Sequence, residues 1–201
     1  MSDWRRHHGQ AVALDRESVD TDQLIPARFM STPRDQGYGQ FLMHDLRYDA
    51  AGAALPGFPL NRHPEASILV SRRNFGSGSS REAAVYALVD FGFKVVVAPS
   101  FGDIFASNAV NNGLLPARVE STDALLKMLA DGALPAEVDL RAQTLEIGTT
   151  SVPFEIDPTW REKLINGWDD IDLTRAHSAD IAAFRARRVA AAPWVFNTKT
   201  M

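Results

Sequence analysis

The stretch Gly76-Ser77-Gly78-Ser79-Ser80-Arg81-Glu82 sets two adjacent hydroxyls and a guanidinium behind a pair of glycines. Glycines let a backbone turn tightly and approach a ligand closely. A guanidinium presents a planar fork of donors suited to a carboxylate. An apolar, β-prone run at residues 67–71 leads into this loop, and good helix formers follow it. The loop therefore passes from a strand end to a helix start, where unpaired N–H groups and the helix dipole favour a negative guest. A capped helix, with serine at the N-cap and Glu82 in the first turn, is the plainest reading. It leaves five consecutive small residues, 76–80, without a reason. Familiar phosphate loops do not match: there is no G-x-x-x-x-G-K-[ST] and no G-x-G-x-x-G. Nor does G-x-S-x-G chemistry find a His/Asp pair. A serine without a neighbouring base can act as one only if backbone N–H groups and an arginine hold its alkoxide.

A second polar cluster, Asp20-Thr21-Asp22-Gln23-Leu24-Ile25-Pro26, reads by itself as a turn with an Asx-type side-chain bond. Residues 27–39 carry Arg28 and Arg34 and show neither helical nor strand period, which predicts a loop that is mobile in the isolated chain and able to act as a lid. Cysteine is absent, so this chain offers no disulfide, no thiolate nucleophile and no cysteine-held metal. The five histidines show no metal-ligand spacing. A net charge of −4 with no long basic run argues against nucleic acid as the partner, and the cluster at 185–188 reads as the solvated end of a helix. Residues 1–10 lack an apolar signal core and no stretch reaches membrane-spanning length, so a cytoplasmic protein without a membrane partner is expected.

The elements that must position the loop follow from periodicity. Strands are predicted at 10–14, 67–71, 94–98 and 114–119, with helices at 80–91, at 101–111 and, capped by Ser121 or Thr122, through about residue 130. The run Lys94-Val95-Val96-Val97-Ala98 has the pattern of a strand buried on both faces. Ser100 is the expected cap of the 101–111 helix. Short alternating β segments at 137–140, 144–147 and 151–156 precede a helix begun by Pro158. An amphipathic helix is expected at 40–48 and another at 178–192, with 50–64 as a surface connection. Strand–helix repeats at this spacing imply right-handed crossovers and an α/β fold with a parallel or mixed sheet. The whole of 1–201 reads as one domain, with 191–201 as a tail.

The blocks Asn74-Phe75-Gly76-Ser77-Gly78-Ser79-Ser80-Arg81-Glu82 and Phe91-Gly92-Phe93-Lys94-Val95-Val96-Val97-Ala98-Pro99-Ser100-Phe101-Gly102-Asp103-Ile104-Phe105 resemble the small subunits of the 3-isopropylmalate dehydratase family. These are separately encoded swivel domains of the aconitase superfamily. The block at 20–26, Asn111-Asn112-Gly113-Leu114-Leu115-Pro116, and the segments 154–158 and 164–171 extend the resemblance over nearly the whole chain. It implies a swivelling β/β/α fold and a large partner subunit whose cysteines hold a 4Fe-4S cluster acting as a Lewis acid. The implied reaction converts 2-isopropylmalate to 3-isopropylmalate by dehydration and rehydration in leucine biosynthesis, and only with the large subunit. By position, Ser79 resembles the base that takes the carbon-bound proton, and Ser80 and Arg81 resemble contacts to the substrate carboxylate. Asp22 resembles an acid supporting a partner-subunit histidine. Arg34 matches a second substrate arginine, with Arg28 as its competitor. Two positions depart from the pattern: Ala83 stands where histidine is usual, and Ser77 where cysteine is common. The related readings are the same chemistry on a methylmalate, citraconate or homoaconitate, and a non-catalytic anion-binding module.

Overall fold

The computed structural model describes residues 4–196. Among them, seven strands form one sheet: Arg6–Leu14 (β1), Ile68–Ser71 (β2), Val95–Ala98 (β3), Leu115–Arg118 (β4), Leu134–Asp139 (β5), Thr144–Ile147 (β6) and Thr150–Pro153 (β7). Their order is β4-β3-β2-β1-β5-β6-β7. The β4-β3-β2-β1 half is parallel and the β1-β5-β6-β7 half antiparallel, which makes the sheet mixed, as expected. β4 lies at an edge, where Pro116 removes no needed ladder bond.

The helices are Thr21–Leu24 (α1), His44–Arg47 (α2), Pro59–Arg62 (α3), Glu82–Phe91 (α4), Asp103–Asn111 (α5), Asp123–Met128 (α6), Pro158–Asn166 (α7), Asp170–Ala176 (α8) and Ser178–Ala191 (α9). By internal contact the chain divides into residues 1–167 and 168–201. The first unit holds the sheet and α1 to α7. The second holds α8, α9 and the 3₁₀ turn Pro193–Val195, and residues 197–201 of the expected tail lie outside the described residues.

Alternation along the central strands builds two cores. Leu69 and Val96 face one side, with Leu24, Ala84, Leu88 and Phe105. Ile68, Val70, Val95 and Val97 face the other, with Leu125, Leu126 and Leu164. Every residue of β2 and β3 is buried, so both strands are covered on two faces, as the apolar run at 94–98 predicts.

Local corrections concern helix starts. The expected helix at 40–48 is two pieces, a 3₁₀ turn Gly39–Phe41 and α2, because Met43 at φ 51° breaks the run between them. The helix expected from Phe101 begins two residues later, with Gly102 as its N-cap. Ser100 is not its cap: its hydroxyl accepts from the Asn74 amide at 2.8 Å and ties the glycine loop to β3. The acidic run at 169–172 opens a helix, since Asp169 caps α8 by accepting from Ile171 and Asp172.

Candidate active site

The loop 74–81 leaves β2, and each of its turns is held by backbone. The Phe75 amide donates to the Ser100 carbonyl at 3.0 Å, the Gly76 amide to Val19 at 2.7 Å, and the Thr21 amide to Ser77 at 2.9 Å. Beneath it, Phe75, Phe101 and Phe105 form an aromatic floor with centroids 5.4 to 6.4 Å apart. Gly76 has φ 72°, and a Cβ there would overlap the Phe105 ring. Only glycine lets the chain cross this floor at that height.

The acidic cluster supports the loop from the other side. Asp20 caps α1 in a capping box with Gln23, taking the Gln23 amide at 2.7 Å. The Asx-type side-chain bond expected there is thus a helix cap. The hydroxyl of Thr21, a residue 2% exposed, donates to the Ser79 carbonyl at 2.9 Å. Asp22, on the same short helix, accepts from the Arg81 guanidinium. Thus α1 grips the loop twice, at Ser79 and at Arg81. Thr21 is the residue that sequence reasoning passed over; its place between two aspartates before Pro26 is the available signal.

The helix after the loop begins at Glu82, with Arg81 at the N-cap and no side-chain cap. Ser79 and Ser80 are therefore not caps. Both are exposed, and their hydroxyls have no partner among the described residues. A pocket of about 210 Å³ collects them, with Thr21, Gly76, Arg81 and the α5 start at Asp103 among its walls. Two helix starts and one guanidinium thus converge on a space the size of a small dicarboxylate, and the positive helix ends favour an anion. No histidine or lysine lines this space; the one carboxylate among its walls is Asp103, at the start of α5.

Arg34 and Arg28 lie elsewhere. The Arg34 guanidinium pairs in a fork with Asp90, at 2.6 and 2.8 Å. Asp90 is eight residues beyond Glu82, about 12 Å along α4. Arg28 pairs with Asp45 and lies over Phe29 at 4.4 Å. The hydrogen bond from Arg28 holds the Asp45 carboxyl at a pKa of about 2. Neither arginine lines the pocket. Of the six residues expected at the site, the structure gathers Asp22, Ser79, Ser80 and Arg81 and leaves Arg28 and Arg34 outside the pocket, paired with Asp45 on α2 and Asp90 on α4.

The donor set does not suit an iron–sulfur cluster. The sequence has no cysteine, and no group of three His, Asp or Glu among the described residues could hold a metal ion.

A glycine–serine–arginine loop between a parallel strand and a helix, on a mixed sheet, defines an aconitase-type domain, and the aconitase C-terminal domain family matches residues 1–122. A second family, the C-terminal domain of the 3-isopropylmalate dehydratase small subunit, matches residues 170–198. Over 189 residues the chain is 45% identical to the 3-isopropylmalate dehydratase small subunit of Shouchella clausii, spanning 92% of this chain and 95% of that one. It is 43% identical to that of Bacillus subtilis, over 94% of this chain and 97% of that one. The crystal structure of 3-isopropylmalate dehydratase (LeuD) from Methanocaldococcus jannaschii superposes with a TM-score of 0.67 at 26% identity, covering 89% of this chain and 98% of that one. The chain belongs to the 3-isopropylmalate dehydratase small subunit family. A small subunit implies a large one, and aconitase-family membership brings an iron–sulfur cluster to the complex.

Proposed function

We propose that this chain is the small subunit of a hydro-lyase that interconverts 2-isopropylmalate and 3-isopropylmalate by dehydration and rehydration, and that it supplies one half of the active site. The observation that carries this is the loop 76–81: two free hydroxyls and a guanidinium at a helix start, in a pocket without histidine or lysine. Such a half-site binds and orients a carboxylate but completes no reaction alone. The large subunit is the partner, and since this chain has no ligands for the cluster, the 4Fe-4S group belongs to that subunit.

Within this chain the roles divide by position. Arg81 and Ser80 take one substrate carboxylate, the guanidinium by its fork and the serine by its hydroxyl. Asp22 fixes the Arg81 side chain and presents its own exposed carboxylate at the mouth of the pocket, where a partner histidine would meet it. Ser79 exchanges the carbon-bound proton. Its alkoxide is stabilised by the amides that open α4 and by the neighbouring guanidinium. Thr21, by holding the Ser79 carbonyl, fixes the height at which that hydroxyl is offered. Operation in the cytoplasm accords with such a two-chain enzyme. Among the described residues, no helix is long and apolar enough to cross a membrane.

The direct test is a substrate panel on the anaerobically reconstituted complex. Interconversion of the two isopropylmalates through isopropylmaleate is expected. Turnover of a methylmalate or homoaconitate with isopropylmalate untouched would move the reading to a paralogue. Failure to form any complex with a cysteine-bearing large subunit would remove it.

A further inference from the structure

The loop at 27–41 is fastened to α4 by more than one bond. Arg34 forks onto Asp90 at 2.6 and 2.8 Å, and the Tyr38 amide donates to the same carboxylate at 2.7 Å. The Arg34 guanidinium lies over the Tyr86 ring at 4.4 Å. At Gly39 the backbones approach so closely that a Cβ would sit 2.7 Å from the Asp90 carbonyl carbon and the Phe91 nitrogen. Glu82, Tyr86 and Asp90 are spaced by four and therefore share one face of the helix. At the helix start, the Asn112 side chain donates to Glu82 at 3.0 Å. Glu82 directly follows Arg81.

We propose that Arg34 is a positioning residue and not a substrate contact: clamped on Asp90 and laid over Tyr86, it fastens the 27–41 loop to the α4 face that ends at Glu82, and so sets the turn presenting Ser80 and Arg81. The inference rests on reading residues 79–81 as the substrate loop. Its chemistry is an ion pair used for geometry. A bidentate fork fixes both direction and distance, which a single charge contact does not. A shift of the order of an ångström at the substrate loop is enough to weaken turnover severely.

The test is a double-mutant cycle in the reconstituted complex, with Arg34→Gln, Asp90→Asn and the pair. Each single change is expected to lower kcat/KM by about tenfold, chiefly through KM, with the double no more than about twofold worse than either. Tyr86→Phe keeps the ring under the guanidinium, and kcat/KM within about twofold of the wild type is expected. In the free subunit, backbone amides of residues 81–84 are expected to exchange faster in both single variants than in the wild type. A far larger loss in Arg34→Gln than in Asp90→Asn would overturn the inference, because the guanidinium would then be touching substrate. Additive losses, or a lowered melting temperature with unchanged kcat/KM, would overturn it too. If the wild-type complex does not act on isopropylmalate, the functional reading fails by itself, and the amide-exchange comparison still decides the clamp.

Discussion

At the scale of single residues, the site is a set of donors waiting for a negative guest. Arg81 is the only guanidinium lining the pocket, and Asp22 keeps it from swinging into solvent. Replacing it separates binding from proton transfer. Arg81→Gln is expected to raise KM strongly, with kcat/KM falling by about a hundredfold, while complex formation with the large subunit is retained. Steady-state kinetics on the purified complex check this, and a kcat effect with unchanged KM would assign Arg81 elsewhere. The loop at 79–81 was legible in the sequence because small residues follow a pair of glycines between an apolar run and good helix formers. The isolation of Arg28 and Arg34 was not legible. Their partners, Asp45 and Asp90, lie 17 and 56 residues away in sequence, and nothing local in a chain announces a fork across that distance.

At the scale of elements, the loop owes its shape to what lies under it. Gly76 crosses directly over Phe105, so Gly76→Ala must tilt the ring, lift the loop or strain the backbone. Overpacking of this kind costs about 1–3 kcal/mol, read as a shift of the denaturation midpoint. Gly76→Ala with Phe105→Leu is expected to recover part of that loss, since the leucine vacates the space the new methyl needs. β1 offers a pH-dependent counterpart. Burial, together with Lys94 and His8, lowers the pKa of His7, whose ring nitrogen lies 2.8 Å from the Ser67 hydroxyl. The fold thus prefers neutral His7, and the unfolded chain takes up the proton first as pH falls below about 6.5. Stability is therefore complete above that value and declines below it. Thermal melts between pH 8 and pH 5 should show a steeper decline for the wild type than for His7→Asn, and parallel curves would refute the assignment. The strands were readable because continuous apolar runs such as Val95-Val96-Val97 have one common meaning. Helix starts were less so: Ser79, Ser80 and Ser100 are good cap residues by type, yet none of them caps a helix, and the Ser100 hydroxyl accepts from the Asn74 amide instead. The two grips of α1 on the loop depend on tertiary contact between residues 21–22 and 79–81, which no local pattern encodes.

At the scale of the molecule, the unit that ends at Gly167 packs its sheet and helices around the candidate site. Two packed cores and a seven-stranded sheet hold a pocket lined by Ser79, Ser80 and Arg81, yet no histidine or lysine lines it and the sequence has no cysteine. On the proposed reading, acid, metal and closure come from a second polypeptide, and Ser79 stands where the two halves meet. The most direct measurement is turnover of isopropylmalate by the anaerobic complex carrying Ser79→Ala, made at matched complex concentration and cluster content. A loss of at least about a hundredfold in kcat, with substrate affinity and subunit association unchanged, is expected of a residue that moves the proton. Turnover within a few-fold of the wild type would contradict that role and return the loop to simple anion binding.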